Sequence, residues 1–235
     1  MKRAMILAAG RGERMGALTA TLPKPLIKVD GHYLIEYAIA AIRQAGIHEI
    51  VINVSWHADQ IKSALGCGSH YGVKIHYSEE AERLETGGGI FQALPLLGTQ
   101  PFLVMSSDII TDYPLRELSE QPQGLAHLVM VTNPVYNLAG DFGLNHGRID
   151  THVSQTLTFG NIGVYRPELF ANCSAGYFRL TNVLNPAIAA GQVTGEHYQG
   201  WWHNIGTPAD IEEVIRARED SNLRPLASET NTLSN

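Results

Sequence analysis

Two glycines, Gly10 and Gly12, follow the short apolar run Met5-Ile6-Leu7-Ala8-Ala9, with Arg11 and Arg14 beside them. Lys24 comes shortly after, held between Pro23 and Pro25. A glycine-rich loop after a strand lets backbone N–H groups approach an anion closely. Nearby cations add charge, so the chemistry on offer is a grip on the phosphates of a nucleotide. The flanking prolines limit the backbone at Lys24 and help fix its reach. Two phosphate motifs fail on residue type. A P-loop needs Lys-Ser or Lys-Thr after its second glycine, and none is present. A dinucleotide fingerprint finds Asp30 at the right offset. However, it meets Met15 where its third glycine belongs, and Pro23 and Pro25 break the crossover it requires. Farther along, Asp108 ends an apolar run and follows Ser106-Ser107; it reads as a metal ligand or as a turn cap. The ten histidines show no metal spacing of the HExxH kind, and no Ser-His-Asp or Cys-His signature appears.

The elements that must position these residues alternate. Residues 4–8 read as a strand buried on both faces. Residues 33–45 read as a helix with Leu34, Ile35, Ala38, Ile39 and Ile42 on one side and Gly46 as its stop. A strand at 49–54, a helix at 58–65, a strand at 73–77, a helix beginning at 89–94 and a strand at 101–105 continue the pattern. This predicts an α/β fold: a Rossmann-like mixed, mainly parallel sheet with helices on both faces. Ligands in such sheets bind at the strands' carboxyl ends. The Gly10 loop, the loop from Glu80 to Gly89, and Asp108 should therefore converge. The second half reads differently, with strands at 126–132, 142–144 and 156–165. A helix at 180–190 contains Pro186, and a last helix at 208–218 follows Thr207 as its N-cap. The expected organisation is a single domain over 1–222, with a nucleotide-binding half (1–112) and a smaller α+β sugar-binding half (113–222). Residues 223–235 are expected to form a flexible tail.

The chain has 235 residues, 44% of them hydrophobic, which supports a large core. A net charge of −6 argues against nucleic acid as a partner, although Arg3, Arg11, Arg14, Lys24 and Lys28 concentrate positive charge in the first thirty residues. Cys67 and Cys173 form no CxxC pair and read as cytosolic thiols. The apolar stretch after Lys2-Arg3 is too short for a signal peptide, and no membrane span is seen. A cytoplasmic location is expected, as a monomer or small homo-oligomer.

The stretch Leu7-Ala8-Ala9-Gly10-Arg11-Gly12-Glu13-Arg14-Met15, followed by Pro23-Lys24-Pro25-Leu26, resembles the sugar-1-phosphate nucleotidyltransferases. Leu84-Glu85-Thr86-Gly87-Gly88-Gly89-Ile90 is similar to that family's base- and ribose-side loop, and Trp202-His203-Asn204-Ile205-Gly206-Thr207 to its W-x-D-x-G-T segment. The resemblance spans about residues 3–220. It implies transfer of a nucleotidyl group from UTP to a sugar 1-phosphate, with release of pyrophosphate and with Mg²⁺ as cofactor. The implied acceptor is N-acetylmuramate α-1-phosphate, in peptidoglycan recycling. No general base is needed, because the attacking phosphate oxygen is already ionised; the work is positioning and charge neutralisation. The resemblance assigns Arg14, Lys24 and Asp108 to catalysis. It assigns Leu7, Ala8, Ala9, Gly10, Gly12, Glu80, Glu85 and Gly88 to the nucleotide, and Asp108 and Asn204 to the metal. For the sugar it offers Asp141, Asn161, Glu168, Arg179 and Glu196, of which Arg179 and Glu196 also read as solvated surface residues.

Two positions depart from the family pattern. Asn204 replaces the second metal carboxylate with a neutral amide, which predicts weaker metal binding. Ser106-Ser107 stands where the family often has Asn-Gly or Gly, and puts side chains near the ribose. Two alternatives stay open: another member of the class, such as a mannose-1-phosphate guanylyltransferase, and a nucleotide-binding regulatory protein with weakened catalysis.

Overall fold

The computed structural model describes residues 1–118 and 122–221. The expected tail at 223–235 lies outside the described residues. The chain forms β1 (Arg3–Leu7), β2 (Lys28–Val29), β3 (His32–Tyr33), α1 (Leu34–Gln44), β4 (Glu49–Val54), α2 (Ala58–Leu65), β5 (Lys74–Glu79), α3 (Glu85–Leu97) and β6 (Phe102–Ser106). It continues through β7 (Ile109–Thr111), β8 (Ala126–Val131), β9 (Phe142–Asn145), β10 (Arg148–Asp150), β11 (Thr156–Tyr165), α4 (Thr181–Ala189), β12 (Val193–Tyr198), β13 (Trp202–Asn204) and α5 (Pro208–Ser221).

One sheet of nine strands, counted among the described residues, carries the fold in the order β5-β4-β1-β6-β11-β8-β12-β10-β9. Its first four strands are parallel, as the strand–helix alternation predicts. Beyond β6 the pattern changes. β11 runs antiparallel to both β6 and β8, and β10 runs antiparallel to both β12 and β9, while β8 and β12 are parallel. Half of the neighbouring pairs are therefore antiparallel, and the sheet is mixed rather than mainly parallel. The second half of the chain has few crossover helices, so most of its neighbouring strands are antiparallel, with β8 and β12 the parallel pair. β9 also pairs with the start of β11, so β11, β8, β12, β10 and β9 close into a ring.

The central strands read as continuous apolar runs because both faces are covered. Ala4, Ile6, Ile50, Ile52, Leu103 and Met105 face a core shared with Ile35, Ile39, Ile42 of α1 and Ile61, Leu65 of α2. Met5, Val51, Phe102 and Val104 face the other side, toward Ile90, Ala93 and Leu97 of α3 and Leu184 and Ile188 of α4. Each fully buried Ile or Leu contributes about 1.5–3 kcal/mol. A third cluster, Val29, Leu34, Tyr37, Ile110, Ile205 and Val214, fastens α5 and the small β7–β13 sheet to the β2–β3 hairpin. That clamp brings α5 back beside residues 29–37. Among the described residues no helix is long and apolar enough to cross a membrane.

Candidate active site

A cavity of about 370 Å³ opens at the carboxyl ends of β1, β4 and β6. Three segments distant in sequence form its walls: the Gly10 loop with Lys24, the stretch from Glu80 to Thr86, and Ser106 to Asp108. The predicted convergence is observed. Of the predicted residues, Leu7, Ala8, Ala9, Gly10, Gly12, Arg14, Lys24, Glu80, Glu85 and Asp108 line it.

The glycine loop is shaped by close approach. Gly12 has φ +67°, and a Cβ there would stand 2.9 Å from Lys24 Cβ and 3.1 Å from Thr19 Cγ2. Its carbonyl accepts from Met15 N at 2.8 Å and from Thr19 Oγ1 at 3.0 Å, which turns the chain tightly after the loop. Lys24 lies in a short turn whose neighbours Pro23 and Ile27 are extended, as its prolines predict. Its ammonium is nearly buried and pairs with Asp108 Oδ2. Arg14 lies over Gly206, where a Cβ would stand 3.1 Å from Cζ and both terminal nitrogens of the guanidinium. Gly206, two residues before α5, is therefore a platform for an N-terminal arginine. Arg11 stacks on Trp56 at 5.1 Å. The other N-terminal cations go elsewhere: Arg3 pairs with Glu49 at 2.9 Å, and Lys28 lies over Tyr33 at 5.6 Å.

The opposite wall is a buried hydrogen-bond chain. Ala8 N donates to Asn53 Oδ1 at 2.9 Å, Asn53 Nδ2 donates to Glu80 Oε1 at 2.7 Å, and Leu84 N donates to Glu80 Oε2 at 3.1 Å. Burial pushes the Glu80 carboxyl up, and the hydrogen bonds from Asn53 and Leu84 oppose it. Both Glu80 oxygens are thus engaged by protein, and the residue orders the wall. α3 starts at Glu85, four residues before the predicted start, because its three glycines belong to the helix. Each is held by a neighbour that leaves no room for a Cβ. A Cβ at Gly87 would stand 2.5 Å from the Phe178 ring, one at Gly88 2.2 Å from Gly176 O, and one at Gly89 2.5 Å from Glu80 Oε1. Gly88 is therefore a packing residue beneath the wall. Glu85 adopts φ +61°, unusual for a residue with a side chain, and pairs with Arg83 at 2.6 Å.

None of the five sugar-side candidates lines this cavity. Asp141 Oδ2 accepts from Phe159 N at 2.8 Å and ties β9 to β11. Asn161 has φ +56° at the bulge between Phe159 and Gly163, beside the Gly160 carbonyl that accepts from Trp202 Nε1 at 3.0 Å. Glu196 accepts from the Tyr113 hydroxyl. Arg179 is exposed, next to the Phe178 segment that docks on α3. Glu168 is corrected by the register: Tyr165 pairs with Phe102 at the amino end of β6, so Glu168 sits on the edge of the sheet opposite the cavity.

β13 pairs with β7 so that Asn204 lies opposite Ile109, next to Asp108, and Ile205 N donates to the Asp108 carbonyl at 2.9 Å. Asn204 Oδ1 is buried and without a hydrogen-bond partner. An orphaned amide oxygen on a strand that pairs next to Asp108 fits a hard cation that takes oxygen ligands. No cluster of three or more His, Cys, Asp or Glu suited to a metal exists among the described residues. A cation here would therefore draw its remaining ligands from substrate and water. Asn53, Arg83, Thr86 and Gly206 line the cavity without having been singled out as site residues. Asn53 had a readable signal, a polar side chain near the carboxyl end of an otherwise apolar strand. Ser106 and Ser107 both line the cavity, and Ser107 N donates to Leu7 O at 3.0 Å.

A nucleotidyl transferase family model matches residues 3–151, more than half of the chain, and the chain belongs to that family. The N-acetylmuramate α-1-phosphate uridylyltransferase of Neisseria meningitidis serogroup B is 47% identical over 222 residues, covering 90% of this chain and 96% of that protein. A mannose-1-phosphate guanyltransferase of Aspergillus oryzae is 33% identical over 227 residues, covering 89% of this chain and 62% of the relative. The fold is shared with the inositol-1-phosphate CTP transferase structure from T. maritima, at TM-score 0.76 and 21% identity, over 94% of this chain and 97% of that one.

Proposed function

We propose that the protein transfers a uridylyl group from UTP to N-acetylmuramate α-1-phosphate, giving the UDP-sugar and pyrophosphate, in peptidoglycan recycling in the cytoplasm. The observation that carries this reading is the meeting of Arg14, Lys24 and Asp108 at one cavity in a chain that matches the Neisseria relative over nearly the full length of both.

The reaction joins two polyanions, so the barrier to lower is charge repulsion during in-line attack on the α-phosphorus. The amides of the Gly10–Gly12 loop hold the triphosphate. Arg14, braced on Gly206, neutralises charge on the departing pyrophosphate. Lys24 exchanges its Asp108 partner for phosphate oxygens and bridges the α-phosphate and the incoming sugar phosphate. Asn53 and Glu80 hold the wall against which base and ribose lie. Asp108 and Asn204 would hold Mg²⁺, which when bound would supply positive charge to offset that of the phosphates. The sugar side rests with Asn161, Glu196, Asp141 and Arg179.

Pyrophosphate release from a panel of nucleoside triphosphates and sugar 1-phosphates tests the assignment. Turnover should be fastest with UTP and N-acetylmuramate α-1-phosphate. Faster turnover with GTP and mannose 1-phosphate would place the chain with the guanyltransferase relatives instead.

A further inference from the structure

Arg14 lines the cavity without a carboxylate to fix it. Among the described residues its side chain makes no ion pair and no hydrogen bond. What it touches is Gly206, itself part of the cavity wall. A Cβ built on Gly206 would stand 3.1 Å from Cζ, Nη1 and Nη2 alike. Equal distances to three atoms of a plane put that point over the plane's face, so the guanidinium rests face-down on the glycine. Its five N–H donors lie in the plane, and none is spent on holding the side chain. That suits a cation whose donors are needed by an incoming anion.

A glycine platform has a weakness. Gly206 permits the close approach because it has no side chain, and for the same reason glycine leaves its own backbone loose. Two sets of hydrogen bonds remove that freedom. On one side, β13 ends at Asn204, and Ile205 N donates to the Asp108 carbonyl at 2.9 Å. On the other side, a single carboxylate oxygen does the work. Asp210 Oδ2 accepts from Gly206 N at 2.8 Å and from Thr207 N at 2.7 Å. Asp210 lies in the first turn of α5, where the helix dipole also favours a negative charge. α5 is in turn anchored on the β2–β3 hairpin through Val214. Three consecutive amides, 205 to 207, are thus held by Asp108 and Asp210, with the Arg14 platform in the middle.

We propose that Asp210 is a positioning residue for Arg14. By taking the Gly206 and Thr207 amides it fixes the surface on which the guanidinium lies, and so sets where Arg14 presents its donors to the pyrophosphate end of the nucleotide. The role rests on the assignment of Arg14 to that group in the reading above. It does not depend on which sugar is the acceptor.

The test is calorimetric titration of the full-length protein with UTP and with UMP, both in Mg²⁺. The two ligands differ by the pyrophosphate group that Arg14 is assigned to hold. Asp210→Ala should raise the Kd for UTP roughly tenfold, as misplacement of a binding group does, and change that for UMP by less than about twofold. Asp210→Asn keeps an oxygen acceptor for both amides and should bring the UTP value back to within about threefold of the parent. Val214→Ala thins the α5 anchor without touching Asp210. It should lower the thermal midpoint and leave the ratio of the two Kd values within about twofold of the parent. In an Arg14→Gln background Asp210→Ala should add less than about twofold. The proposal would be overturned by parental UTP affinity in Asp210→Ala, by an equal loss for UMP, by no recovery in Asp210→Asn, or by the same loss in Val214→Ala or in the Arg14→Gln background. Arg14→Gln with parental UTP affinity would remove the Arg14 assignment and the proposal with it. Normal pyrophosphate release by a protein whose UTP affinity ignores Asp210 would leave the transferase reading standing and remove only the positioning role.

Discussion

Replacing Gly89 by alanine attacks the nucleotide wall at one atom. The added Cβ would stand 2.5 Å from Glu80 Oε1 and 3.0 Å from Asn53 Nδ2, the two atoms joined by a 2.7 Å hydrogen bond. Relief to ordinary contact requires a shift of about 1 Å, and Glu80 is pinned at its other oxygen by Leu84 N. Losing a hydrogen bond to a charged acceptor costs about 1.5–3 kcal/mol. Overpacking adds about 1 kcal/mol or more, and alanine's better helix propensity returns about 1 kcal/mol. The net loss should be about 2 kcal/mol, a fall in Tm of roughly 4–8 °C for a chain of this size. Because Asn53 also receives the Ala8 amide, the end of β1 should loosen and the KM for UTP should rise more than kcat falls. Urea unfolding and steady-state kinetics on the same preparation measure both. A Gly89→Ala protein as stable as the parent, with an unchanged KM for UTP, would refute the role given to this chain of hydrogen bonds.

Lys24→Met should lower kcat by about 10²–10³, as loss of a charge-stabilising donor does, and should leave Asp108 without its ammonium partner; single-turnover kinetics reads the first effect. Burial raises the Glu80 carboxyl above its usual 4.5, so the native state keeps a proton the unfolded chain has released, and stability falls as pH rises from 4.5 through the raised value. Glu80→Gln should flatten that fall in a stability–pH profile, while costing about 1–2 kcal/mol for the Leu84 amide it no longer serves. Asn204→Asp should lower the Mg²⁺ concentration giving half-maximal rate, and an unchanged Mg²⁺ dependence would remove Asn204 as a ligand.

Local pattern carried much of the architecture. The strands at 49–54 and 156–165 and the helix at 58–65 fall where apolar periodicity places them, because their faces are set by residues close in sequence. The convergence of Gly10, Glu80 and Asp108 followed from one rule about parallel strands. What stayed hidden depends on distant partners. The β7–β13 pairing joins segments some ninety residues apart and only three residues long, too short to show a period. The start of α3 was obscured by three glycines, which local propensity disfavours in a helix. They are tolerated because Phe178, Gly176 and Glu80 fill the space their side chains would take. Glu168 was misplaced because the direction of β11 relative to β6 is a property of the sheet and not of either strand.

The most direct test of the central claim follows the α-phosphorus. The protein is incubated with Mg²⁺, N-acetylmuramate α-1-phosphate and UTP labelled at that atom, and the products are separated. The label should appear in the UDP-sugar in step with unlabelled pyrophosphate, and Lys24→Met should suppress both together. Label recovered only as UTP or UMP, with no labelled UDP-sugar, would contradict transfer to this acceptor.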